Sequence, residues 1–312
     1  MVQGAGGRLI LSHQQFKNFI FAKKNPMKRL LLIIFALSLF SCGMERKKPE
    51  KPVAAVSILP QRYLINKIAD TLVDVVVMVP PGASPATWEA TPEQMKDLGD
   101  AFIYFRIGHI GFEQAWMKQI ASLNPGMEIV DLSEGLELIS ADYEHGDHQH
   151  HGTDPHTWLS PACMKQMARK VYYILSEKFP DYKSYLRGNY EKLLQDINKT
   201  ESYAGRVLSP LAGSSFLIFH PSLGYLARDY SLNQYAIEFE GKEPSPAHLR
   251  EIVDLAKIHG IKAIFVQKEF DQRNASLIAE EIEGTVVMIN PLEENWIYGM
   301  KQTIDDLAKY LK

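Results

Sequence analysis

YKSYLRGNYEKLLQDINKTESYAGRV, Tyr182–Val207, contains no proline and has only Gly188 and Gly205 as weak points for a helix. At 1.5 Å per residue such a helix extends about 40 Å, enough to cross a protein of two lobes from end to end. Upstream of it a helical tract opens at Pro161 and breaks near Phe179-Pro180-Asp181. The order of signals on either side of this tract decides the fold class.

Before it, Val53–Leu59 is an apolar run ending at Pro60, and Val73–Val79 is a β-branched run ending at Pro80-Pro81-Gly82. Thr91-Pro92-Glu93-Gln94 is a capping box with proline at the first helical position, so a helix starts there. Ala101–Ile107 reads as the next strand, followed by Gly108-His109-Ile110-Gly111, an amphipathic helix to about Ser122, and a strand at Glu128–Leu132. Beyond Pro210 a second series begins. Phe216–Phe219 and Asn233–Phe239 read as strands, Ser245-Pro246 opens a helix ending near His259-Gly260, and Ala263–Gln267 and Thr285–Ile289 flank a helix at Asn274–Glu283. A final helix closes the chain. Alternation of this kind predicts an α/β protein with parallel-type sheets flanked by helices, in two lobes joined by the one long helix. The expected divisions are an N-terminal lobe over 53–181, a linking helix over 182–209 and a C-terminal lobe over 210–312. Sites in such sheets lie outside the carboxyl ends of the strands, which predicts a cleft between the lobes.

The N-terminus bears on the compartment. From Met27 a short basic region leads into Leu30–Phe40, about a dozen apolar residues, and then Ser41-Cys42-Gly43. This is the pattern of a secretory signal, and the apolar run is shorter than the roughly 20 residues a spanning helix needs. Cys42 resembles the lipidated cysteine of a bacterial lipobox. Residues 27–42 are therefore expected to be a lipoprotein signal, 43–52 a tether, and 1–26 a stretch before the true start. The expected location is extracytoplasmic, anchored to the membrane by lipid. Cys163 then has no partner for an intramolecular disulfide and reads as a buried small residue. A net charge of −3 with 23% charged residues gives no sign of nucleic-acid binding.

The chemistry concentrates in residues 145–161, which hold five of the ten histidines. Imidazole is a common ligand of borderline transition metals. His145, His148, His150 and His151, interspersed with Gly and Asp, read as an auxiliary collecting loop. His156 stands in Asp154-Pro155-His156-Thr157-Trp158-Leu159-Ser160-Pro161, where prolines and an aromatic would hold one ring in a fixed direction. His109 and His220 follow strands, on the rim where a site is expected.

The chain from about Val53 onward resembles the metal-specific substrate-binding lipoproteins of ABC importers, the cluster A-I family that carries zinc or manganese. The resemblance rests on Ser57-Ile58-Leu59-Pro60, Pro80-Pro81-Gly82-Ala83-Ser84-Pro85, Thr91-Pro92, Gly111-Phe112-Glu113, the 154–161 motif, His220-Pro-Ser-Leu-Gly224-Tyr225, Glu243-Pro244-Ser245 and Asn290-Pro291-Leu292. It implies the two-lobed fold, and four metal-binding side chains drawn from both lobes. His156 and His220 match two of them. The family's first ligand, a histidine, falls on Ala86 here, and its fourth, an aspartate, falls on Asn290.

Zinc sites want four donors, or three and an open position. His109 is the expected substitute, Glu89 a carboxylate near the lost ligand, and Asn290 at most a neutral amide oxygen. Glu113 is expected to cap or orient the helix after Gly111. Glu240 and Glu243 are further acidic candidates, whereas His248 and His259 read as ordinary helix-end residues. The expected function is a monomeric extracytoplasmic receptor that captures a divalent metal, Zn2+ before Mn2+, for an ABC permease, and not an enzyme. The alternatives are a divergent surface adhesin and, more remotely, a zinc hydrolase; no HExxH helix supports the latter.

Overall fold

A computed structural model describes residues 50–140, 152–238 and 244–311, together with the backbone of 143–145 and 148–150. The signal segment with Cys42, the residues before it, the side chains of His145, His148, His150 and His151, and both Glu240 and Glu243 lie outside the described residues. Residues 49–312 form one compact unit.

The first half is a four-stranded parallel sheet of β1 (Val53–Val56), β2 (Asp74–Val77), β3 (Ala101–Arg106) and β4 (Glu128–Asp131), in the order β2-β1-β3-β4. Its helices are α1 (Leu59–Ala69), α2 (Pro92–Asp97) and α3 (Gly111–Leu123). A two-stranded antiparallel ribbon, β5 (Tyr143–His145) with β6 (His148–His150), follows, and an isolated bridge from Ser140 to Thr153 closes its base. Then come α4 (Pro161–Lys178) and α5 (Lys183–Leu208). The second half repeats the plan. Here β7 (Ser215–Ile218), β8 (Asn233–Ala236), β9 (Ala263–Gln267) and β10 (Thr285–Ile289) form a parallel sheet in the order β10-β9-β7-β8. It carries α6 (Gly224–Asp229), α7 (Pro246–Ile258), α8 (Arg273–Glu281) and α9 (Trp296–Tyr310).

Helix α5 is 26 residues long, or about 39 Å. It packs on α1 and α4 from one half and on α9 from the other, so it braces both. Its buried stripe, Leu186, Leu193, Ile197, Thr200, Ala204 and Leu208, recurs at the three- and four-residue spacing of one helical face.

The apolar run at 53–59 is not all strand. Pairing stops at Val56, and α1 begins at Leu59. Gln61 causes the switch. Its Oε1 accepts from the backbone N–H of both Ser57 and Ile58, at 3.0 Å each, while its Nε2 donates to the Phe105 carbonyl at 2.8 Å. A buried side chain thus satisfies the orphan donors of the helix start. Periodicity cannot reveal that.

Two indoles clasp the halves. Trp158 donates from Nε1 to the Pro291 carbonyl at 2.8 Å, and Trp296 donates back to the Trp158 carbonyl at 2.6 Å. Both rings are almost fully buried, as tryptophan is when its N–H finds a partner.

Candidate metal centre

The His220 loop leaves the carboxyl end of a strand, whereas the His156 loop follows the bridge at Thr153. In the second sheet the strand order reverses between β7 and β9, the place where such folds open a crevice. His220 follows β7, and Gln267 ends β9. Gln267 is buried and holds the His220 backbone, accepting from its N–H at 3.4 Å and donating to its carbonyl at 2.6 Å. The His220 ring lies parallel to Phe270, with centroids 5.1 Å apart. Its Nδ1 faces the Glu238 carboxylate at 3.2 Å.

His156 is set just as firmly. One oxygen of Asp154 accepts from the His156 backbone N–H at 2.9 Å and meets the ring Nδ1 at 2.7 Å. Burial lowers the pKa of His156 and outweighs the opposing pull of Asp154, so the ring is neutral at pH 7.

With Nδ1 of each ring bonded to a carboxylate, each Nε2 presents a lone pair. The two Nε2 atoms face each other at 3.3 Å. Zinc–imidazole bonds of about 2.05 Å meeting at the tetrahedral angle separate two nitrogens by about 3.3 Å. The rings therefore stand at the bite a tetrahedral cation requires, with a carboxylate at each Nδ1 to take the proton on the far side. Among the described residues, no group of three or more His, Cys, Asp or Glu side chains is placed to hold a metal.

The two histidine motifs interlock. A Cβ on Gly224 would come within 2.5 Å of the Asp154 carboxylate. The Tyr225 hydroxyl donates to the Asp154 carbonyl at 2.7 Å and accepts from Ile139 N–H at 3.1 Å. The glycine and tyrosine after His220 thus position the aspartate that aligns His156. Gly224→Ala is expected to push Asp154 off Nδ1 and weaken metal binding about 10- to 100-fold, the usual cost of a lost outer partner. Zinc titration of the variant checks this; unchanged affinity would show that the packing is incidental.

The wider cavity around the two rings measures about 620 Å³ and includes Ala86, Trp158, Glu238, His248, Glu251 and Glu269 on its wall. Ala86 thus shares a wall with His156 and His220. His109 does not line this cavity. It adopts a left-handed backbone, φ 66°, and its carbonyl accepts from Gln114 at 2.9 Å. Glu89 is exposed and also off the wall. Asn290 borders a smaller neighbouring cavity and donates to Glu293 at 2.9 Å.

Glu113 is buried at the start of α3, where its carboxylate accepts from the N–H groups of Ile107 and Gly108, at 2.7 Å each, and from Ser57. Burial pushes its pKa up to about 7 despite those bonds and nearby Arg106. It shapes the turn after β3 and orients the helix. Cys163 is buried and free, and burial pushes its thiol up.

Sequence reading passed over Glu238 and Glu269, and read His248 as an ordinary helix-end residue. Glu238 lies 18 residues beyond His220 with no motif around it, and is brought to the ring only because β8 pairs with β7. His248 lies inside the first turn of α7, where the capping Ser245 gives the local pattern an ordinary explanation.

Comparison with known proteins agrees with this architecture. A family model described as zinc-uptake complex component A, periplasmic, matches residues 55–310. The high-affinity zinc uptake system protein ZnuA of Bacillus subtilis is 26% identical, with 86% of this chain and 90% of that protein covered. The zinc-binding lipoprotein AdcA of Streptococcus pneumoniae is 25% identical over 90% of this chain, which spans 60% of AdcA's length. Among solved structures, a ZnuA crystal structure superposes with a TM-score of 0.78 at 33% identity, covering 84% of this chain and 100% of that one. The zinc-binding protein TroA of Treponema pallidum, 18% identical, shares the fold with a TM-score of 0.74, covering 84% of this chain and 99% of that one. With the match extending from β1 to the last helix, the chain belongs to the family of periplasmic component A proteins of zinc-uptake complexes, which are substrate-binding proteins and not enzymes.

Proposed function

We propose that this protein captures a divalent metal ion outside the cytoplasm, zinc in preference to manganese, and passes it to an ABC permease. His156 and His220 are the ligands. The observation that carries the reading is the 3.3 Å approach of two Nε2 atoms whose Nδ1 partners are carboxylates. Imidazole donors suit zinc, whereas manganese favours harder oxygen ligands. The names of the ZnuA and AdcA relatives support the same metal. The halves 53–181 and 210–312 act as lobes on either side of the ion, with the 182–209 segment as their brace. Lipid on Cys42 would hold this monomeric receptor at the membrane, as the lipoprotein named among its relatives suggests. His109 is kept as a further proposed donor, although it does not line the cavity.

Zinc titration by calorimetry on residues 49–312 tests the reading; no binding at pH 7.5 would overturn it. Binding also requires neutral rings. Burial holds His156 below the ordinary value of 6.5, so affinity should be level above about pH 7 and fall steadily below about pH 6. Dissociation constants measured from pH 5 to 8 check the sign, and affinity constant down to pH 5 would exclude imidazole ligation.

The histidine-rich segment directly precedes the bridged Thr153, which Asp154 follows in the chain. We assign it the auxiliary role of raising the local metal concentration. A ZnuA deletion mutant among the similar structures has zinc bound. Removing residues 145–151 here is expected to leave the dissociation constant within about threefold and to slow capture, as stopped-flow association rates would show.

A further inference from the structure

The cavity is far larger than one ion needs. A water takes about 30 Å³ of liquid, so an ion keeping two waters needs only a small part of this open cavity of about 620 Å³. That volume lies within the roughly 300–1,000 Å³ of pockets for small organic ligands. The wall away from the two rings has the mixed character such pockets show. Helix α7 contributes His248, Glu251 and Leu255, strand β8 contributes Tyr235, and the loop after β9 contributes Glu269 and Phe270. His248 Nδ1 faces Glu251 at 3.5 Å, so an imidazole–carboxylate pair borders the cavity apart from the metal-binding rings.

We infer that this site takes its metal as a complex with a small amino-carboxylate, the protein supplying His156 and His220 and the chelator the remaining donors. The inference rests on the metal-capture reading above. An α-amino acid suits both halves of the cavity. Its amine and carboxylate close a chelate ring on the two free positions of a tetrahedral ion. Its carboxylate also lowers the charge of a dication held between two neutral imidazoles. Its side chain extends along Leu255 and Tyr235, and a polar side-chain terminus would find Glu251 and His248. Glu269 adds negative charge to the same wall; burial raises its pKa.

The experiment uses residues 49–312 with zinc alone and with zinc plus L-histidine, buffered to the same free zinc concentration. L-histidine is expected to tighten apparent zinc affinity at least tenfold, and native mass spectrometry should show protein, zinc and histidine at 1:1:1. Affinity unchanged at equal free zinc, with only protein and zinc in the mass spectrum, would overturn the inference while leaving metal capture standing. Failure to bind zinc in either arm would remove both. Leu255→Trp narrows the organic half of the cavity at a half-buried position. It should cut the histidine effect to under threefold, with its circular dichroism and melting curve confirming the fold. A full tenfold effect in that variant would place the chelator elsewhere and count against this site.

Discussion

His156→Ala and His220→Ala should each raise the zinc dissociation constant by at least about 100-fold, the largest losses expected of any single change in this protein. Apparent zinc binding of about 10–16 kcal/mol in four-ligand sites corresponds to roughly 3 kcal/mol per donor, or about two decades. A site with fewer protein donors has less to fall back on. The two variants should also be nearly equivalent, because each ring is fixed by its own carboxylate, Asp154 or Glu238, and each holds half of the 3.3 Å bite. Combining them should add little, since one remaining imidazole cannot chelate. The fold should survive both, as neither ring is clasped into the core as Trp158 and Trp296 are. Calorimetry beside melting curves separates the two effects. A loss below tenfold in either variant would mean that the ion sits elsewhere.

Much of this was legible in the residues. The long proline-free helix and the alternating series around it give two sheets and their brace, because burial forces that periodicity on the chain. His156 and His220 stood out for the same kind of reason: each sits in a local motif whose other members now have physical tasks. Asp154 orients a ring, Gly224 makes room for Asp154, Tyr225 ties its carbonyl, and Trp158 clasps the far half. What stayed hidden depends on contacts across the sheet or between loops. Glu238 reaches His220 through strand pairing, and Gln61 ends a strand by bonding two N–H groups that no spacing rule identifies. That His109 follows β3 was readable too. Its left-handed backbone and its place off the cavity wall were not.

Ala86→His should tighten zinc binding about 100-fold, a gain comparable in size to the losses above. The position is ready to receive a ring. Ala86 lies on the same cavity wall as His156 and His220, and the residue is exposed. Its backbone is pinned: the carbonyl of Pro85 accepts from Phe112 N–H at 2.8 Å. A Cβ on Gly111 would approach the Ala86 carbonyl to 2.4 Å, so loop and helix touch directly there. A new imidazole would thus be presented from a fixed backbone, with little ordering entropy left to lose beyond its own two torsions. Three imidazoles and one open position form a complete catalytic-type zinc coordination set, which two do not. Asn290→Asp is the weaker repair. Asn290 borders the smaller cavity and donates to Glu293, so a carboxylate there would meet like charge before it met the ion. Adding the third imidazole should also reduce the protein's use of an external chelator, because one open position cannot accept a bidentate ligand without expansion. The tenfold help expected from L-histidine should therefore shrink in Ala86→His as affinity for zinc alone rises. If the variant binds zinc no more tightly than the parent chain, residue 86 does not face the ion, and the completing donor must come from another part of the wall.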